Sequence, residues 1–89
     1  MDRIALIEQA LAALSPHALS IRDDSQKHAG HAGARDGRGH FSVSIVASGF
    51  EGLTALKRHQ LVYKALAGLL ETDIHAVAIQ AKTPAEADR

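Results

Sequence analysis

The sequence predicts a single two-layer α+β domain in the order helix–strand–strand–helix–strand, with a three-stranded mixed sheet covered on one face by helices. Two observations carry the elements. Apolar residues recur at helical spacing in two segments, and they alternate with polar residues in three short ones. A third observation carries the topology. The second helical segment separates the second strand from the third, and such a crossover suits a parallel pair. A chain of 89 residues has room for one such core, so residues 1–89 read as one domain.

The elements follow in order. Ile4, Ile7, Leu11 and Leu14 form one helical stripe, widened by Leu6 and Ala10, with Arg3, Glu8 and Gln9 placed to face water. Asp2 is the expected N-cap, and Pro16 the stop, acting through Ser15. Asp2, Arg3, Glu8 and Gln9 also interrupt this apolar stretch, which reads as an amphipathic helix rather than a targeting peptide. Leu19 and Ile21 alternate with Ser20 and Arg22 in a first strand; Phe41, Val43 and Ile45 alternate with Ser42 and Ser44 in a second. Residues 24–39 between them are expected to form a long, flexible hairpin loop.

Gly49 and Gly52 break the second strand, and a second helix is expected from about Leu53 to Leu70. Its core stripe is predicted as Leu56, Val62, Leu66, Leu69 and Leu70, with Lys57, Arg58 and Lys64 more exposed. Thr72 and Asp73 close it, and IHAVAIQAKT reads as the third strand. Thr83-Pro84-Ala85-Glu86 then has the form of a capping box with proline at the first helical position, opening a short C-terminal tail over residues 83–89.

Composition narrows function. The net charge is zero and the aromatics are Phe41, Phe50 and Tyr63, which weakens any reading as a base-stacking nucleic-acid binder. There is no cysteine, so a metal held by this chain alone would need imidazole, carboxylate or carbonyl ligands. No run reaches membrane-spanning length, and the expectation is a soluble, cytoplasmic domain without a membrane partner. No nucleophile motif, phosphate-cradling loop or carboxylate pair points to an enzyme.

The unusual segment is QKHAGHAGARDGRGHF, residues 26–41, with His28, His31 and His40 among four glycines. His28 and His31 have a spacing seen in zinc sites, but on a glycine loop, and structural zinc wants four protein ligands. His75 shares the strand parity of Val77 and Ile79, and it has two readings. One is a partly buried histidine bonded to a neighbouring carbonyl; the other is a ligand. If the second and third strands are parallel neighbours, the loop before Phe41 and His75 lie at the same end of the sheet. The result would be half a coordination sphere, which suggests a metal shared with a partner. His40 opens a strand and reads as the structural member of the three. Lys57, Arg58 and Lys64 form a basic element whose plain reading is a solvated helix face, and Gly49-Phe50-Glu51-Gly52 is a loose GxxG containing a charge that opposes phosphate.

Taken together, HAGH…HF with Val43-x-Ile45-Val46, Phe50-Glu51-Gly52, Lys57-Arg58-His59-Gln60-Leu61-Val62-Tyr63, and Ile74-His75-Ala76-Val77-x-Ile79 with Thr83-Pro84 resemble the BolA family. The resemblance runs from the first helix to Pro84. It implies a KH-like fold and two functions. In the first, the partner is a monothiol glutaredoxin and the pair shares a [2Fe-2S] cluster. The glutaredoxin gives one thiolate and bound glutathione another, while this chain gives His75 and a loop histidine. Counted back from His40-Phe41, the family's loop ligand falls on His31, with His28 as the alternative. Two imidazoles on one iron resemble a Rieske arrangement, and such a cluster should loosen at acidic pH. The second implied function is DNA binding and transcriptional regulation in stress and cell morphology, through the helix after Gly52 with Lys57, Arg58 and Lys64. Zero net charge and Gln60, where relatives often carry another arginine, depart from that reading. A homodimer is also compatible with the sequence.

Overall fold

The computed structural model describes residues 2–25 and 39–88. Helix α1 spans Arg3–Leu11 and starts as expected, with the Asp2 carboxylate accepting from the Ala5 amide at 2.7 Å. Such a cap contributes about 1 kcal/mol. A 3-10 turn over Ala12–Leu14 carries the chain to Ser15, which sits in the left-handed region at φ 49° directly before Pro16. Proline disfavours the right-handed helix at the preceding residue, so α1 cannot continue through Ser15.

Strand β1 spans Ala18–Asp23 and β2 spans Gly39–Val46. A second 3-10 turn, Ser48–Phe50, leads to α2 (Ala55–Thr72), capped by Thr54, whose hydroxyl accepts from the Lys57 amide at 3.2 Å. Strand β3 (Ile74–Lys82) and the short α3 (Pro84–Ala87) complete the order. Strand β2 lies in the centre of the sheet, antiparallel to β1 and parallel to β3. The register runs from Ala18 against Val46 to Asp23 against Phe41 on one side, and from Phe41 against Val77 to Val46 against Lys82 on the other. This is the architecture that the spacing of the apolar residues predicts.

Alternation along β2 puts Phe41, Val43 and Ile45 on the covered face. There they meet Ile7 and Leu11 of α1, Val62 and Leu66 of α2, Ile74 of β3, and Phe50. Each fully buried large side chain stabilises the fold by roughly 1.5–3 kcal/mol. Ser42 and Ser44 fall on the opposite, uncovered face.

Two expectations for α2 are corrected. Leu56 is 67% exposed and not part of the core stripe. At 3.6 residues per turn it lies about 120° around the helix from Val62, whereas Leu66 and Leu69 lie close to Val62's direction. Arg58 is half-buried rather than solvated, for reasons given below. Of the predicted loop over residues 24–39, residues 26–38 lie outside the described residues.

Candidate functional site

The two ends of the β2–β3 pair hold the residues that the sequence singles out. At the N-terminal end of both strands, the hydrophobic pattern of β3 contains an odd step. Ile74 is buried, and Val77, Ile79 and Ala81 also pack on the core. Val77 is three positions along from Ile74, so a regular strand cannot place both on one face. The pairing resolves this with a bulge. Gly39 pairs with Ile74 and the next residue, His40, with Ala76, leaving His75 as the extra residue. The expected parity of His75 with Val77 is therefore overturned, and His75 is exposed. The core fixes Ile74 on one side and Val77 on the other, and the histidine between them is turned outward.

His40 is its neighbour. The two imidazole rings lie with centroids 5.0 Å apart and planes tilted by 50°. The backbone of His40 is held on both sides: its N–H donates to the Ser25 hydroxyl at 3.1 Å, and its carbonyl accepts from the Asp24 amide at 2.7 Å. Asp24 is itself anchored by Arg22 at 2.6 Å and accepts from the Ser42 hydroxyl. The Asp23 carboxyl is held below its usual range by the Ser25 hydroxyl and then by the Ser25 amide, at 2.9 Å. Gly39 completes this corner, its N–H donating to the Asp73 carbonyl at 3.0 Å. A methyl group at position 39 would run into the Phe41 ring, so glycine is the residue that permits this approach.

His28 and His31 lie outside the described residues. Residues 26–38, which carry them, follow Ser25 and precede Gly39, and Gly39 pairs with Ile74 next to His75, at the end of the sheet that the parallel topology predicts. Sequence reasoning gives His40 only a structural place. Its ring contact with His75 depends on cross-strand register, which no local pattern encodes.

The basic element predicted from the sequence lies along α2. Lys57 and Lys64 are exposed on α2 and, with Leu53, Gln60 and Leu61, line a shallow groove of about 450 Å³. Arg58 points elsewhere. Its guanidinium donates to the Leu53 carbonyl at 3.0 Å, the Ala81 carbonyl at 3.2 Å, and both carboxylate oxygens of Glu86 at 2.6 and 3.3 Å. Glu86 in turn closes a capping box with Thr83. The Arg58 hydrogen bond, followed by that from the Thr83 backbone N–H, lowers the Glu86 carboxyl to about 2. Arg58 thus ties α2, β3 and α3 together. Phe50 of the GxxG stretch is a core side chain, and Gly52 makes the turn at φ 77°.

Chemically, the His75 end offers a partial donor set. Imidazole suits iron, zinc and copper. Among the described residues, no group of three or more histidine, cysteine, aspartate or glutamate side chains is placed to hold a metal ion. The chain has no cysteine, so thiolate ligands at this end must come from another molecule. No described helix is long and apolar enough to cross a membrane.

The mixed three-stranded sheet, covered on one face by helices, defines a small two-layer α+β domain. The chain belongs to the BolA family: the model described as BolA-like protein matches residues 11–86. It is 49% identical over 82 residues to BolA-like protein 1 of Mus musculus, an alignment covering 92% of this chain and 56% of the mouse protein. It is 36% identical over 83 residues to the DNA-binding transcriptional regulator BolA of Escherichia coli strain K12, covering 93% of this chain and 76% of that one. Among solved structures, BolA1 from Arabidopsis thaliana superposes with a TM-score of 0.82 at 40% identity, covering 97% of this chain and 96% of the other. The chain spans about half the length of the plant and mammalian curated relatives it matches, 48% and 56% for two of them.

Proposed function

We propose that this chain is the histidine-donating half of a heterodimer with a monothiol glutaredoxin, and that it co-ligates a shared [2Fe-2S] cluster through His75 and a loop histidine, His31 or alternatively His28. The observation that carries the reading is the exposed His75 on its bulge, beside the point where the histidine-bearing segment rejoins the sheet. The glutaredoxin cysteine and glutathione supply the two thiolates. When bound, such a cluster supplies one-electron chemistry at a potential raised by its imidazole ligands. The chain's own part is to present His75 from the start of β3, together with the loop histidine, in iron–sulfur or iron homeostasis or stress signalling.

The test mixes the chain with a monothiol glutaredoxin, glutathione, iron and sulfide, and reads visible absorption and circular dichroism. His75→Ala and His31→Ala should each lose the wild-type bands, and His28→Ala should keep them. An unchanged spectrum for His75→Ala removes it from the ligand set.

A second reading has its own support. Lys57 and Lys64 are exposed on α2, and one relative carries the name of a DNA-binding transcriptional regulator. In this reading Lys57 and Lys64 contact phosphate, and Arg58 contributes only if it leaves Glu86. Affinity for duplex DNA should then fall steeply with salt, and Lys57→Glu with Lys64→Glu should abolish binding. Weak, salt-insensitive binding removes this reading.

A further inference from the structure

We propose that His40 is the positioning residue for His75: its ring, carried on a stretch of the central strand whose backbone is held on both sides, sets the direction in which the bulged histidine presents its nitrogen. The inference rests on the shared-cluster reading for its purpose, but its structural content stands on the His40–His75 contact itself.

A bulge leaves its extra residue outside the regular ladder, and the backbone alone orients such a residue loosely. An exposed His75 on a bulge would therefore sample several rotamers, and a ligand needs one. The neighbouring ring supplies a restraint of its own. His40 sits on β2, directly across from Ala76 and next to the bulge, with its ring centroid 5.0 Å from that of His75. It is itself well anchored. Its amide and carbonyl are bonded to Ser25 and Asp24, and Asp24 is braced by Arg22 and Ser42. The order of restraint runs from the sheet, through His40, to His75.

His40 is also poorly placed to be a ligand in its own right. Its Nε2 is shielded from solvent, whereas His75 is exposed. The two histidines thus divide the work: one is held inside the corner as a backstop, and the other faces outward. Holding a ligand's rotamer before the partner arrives lowers the ordering cost at assembly.

The experiment uses the full chain with two substitutions, His40→Ser and His40→Phe. Serine is already the residue type of this sheet face at Ser42 and Ser44, so His40→Ser should keep the native amide spectrum. Phenylalanine keeps a ring but cannot ligate. In the isolated chain, three-bond couplings report the χ1 distribution of His75. In the heterodimer, visible circular dichroism reports the cluster's ligand geometry. We expect one dominant His75 rotamer in wild type, several-fold more averaging in His40→Ser, and recovery in His40→Phe, with the dichroism following the same order.

An unchanged His75 rotamer in His40→Ser overturns the proposal. So does a His40→Phe variant that orders His75 yet fails to restore the dichroism, since His40 would then be a ligand. Loss of the native fold in His40→Ser also overturns it, by making the role of His40 architectural. If no variant, wild type included, assembles a cluster, the shared-cluster reading fails, and the coupling data still decide whether His40 orders His75.

Discussion

At the start of β2 and β3, a half-buried His40 backs an exposed His75; where the same strands end, Arg58 turns its guanidinium inward to Leu53, Ala81 and Glu86. Ala81 is six positions along β3 from His75, roughly 20 Å of strand. Both ends are rich in polar groups, and they differ in where those groups point. The Arg58 end satisfies its charge within the chain, so it behaves as a clasp. The His75 end carries a histidine that the core has excluded, so it behaves as a presented group. Chemical type alone does not separate the two, since an arginine on a basic helix looks as available as a histidine on a strand.

The largest test treats both ends alike. Phe50 is buried in the shared core at 1% exposure, and Phe50→Ala should cost about 3–5 kcal/mol in chemical denaturation. A loss under about 1 kcal/mol would mean that the core collapses around the gap and that the two ends are not rigidly joined through it.

A smaller effect should separate the ends. Gly39→Ala forces the Phe41 ring to shift and should destabilise by roughly 1–3 kcal/mol. Its amide shift changes should gather around His40, Asp73 and His75 and leave Arg58 and Glu86 unmoved. Shifts spread evenly over the domain would dissolve the distinction between a presented corner and a clasp.

The smallest effect belongs to the clasp. Glu86 is depressed to about 2 from an ordinary value of 4.5, so its contribution to stability is fully present above about pH 4.5. That contribution is lost progressively as the pH falls towards about 2. Wild type should therefore be more stable than Glu86→Gln at pH 7, with melting temperatures that converge on acidification. Parallel melting curves from pH 7 to pH 2 would show that the pair contributes nothing net.

Much of this was legible in the sequence because it is written in local periods. Phe41, Val43 and Ile45 alternate cleanly, and Thr83-Pro84-Ala85-Glu86 announces its own cap, so the element order, the parallel crossover and the last turn follow directly. Leu56 misleads because an apolar residue at the start of a helix invites inclusion in the stripe, although its angle excludes it. Arg58 misleads because its partner lies 28 residues away, beyond any local pattern. His75 misleads most instructively. Counting by twos from Val77 places it on the core face, and only the pairing of His40 with Ala76 reveals the reset.

That reset has a consequence best put as a matter of insertion and deletion. Remove residue 75, and Ile74 still stands opposite Gly39, Ala76 opposite His40, and Val77 opposite Phe41. The ladder would then run without interruption, with every core side chain on its present face. By the count of residues, the sheet is complete without this histidine. It is one residue more than the architecture requires, inserted where β2 and β3 begin.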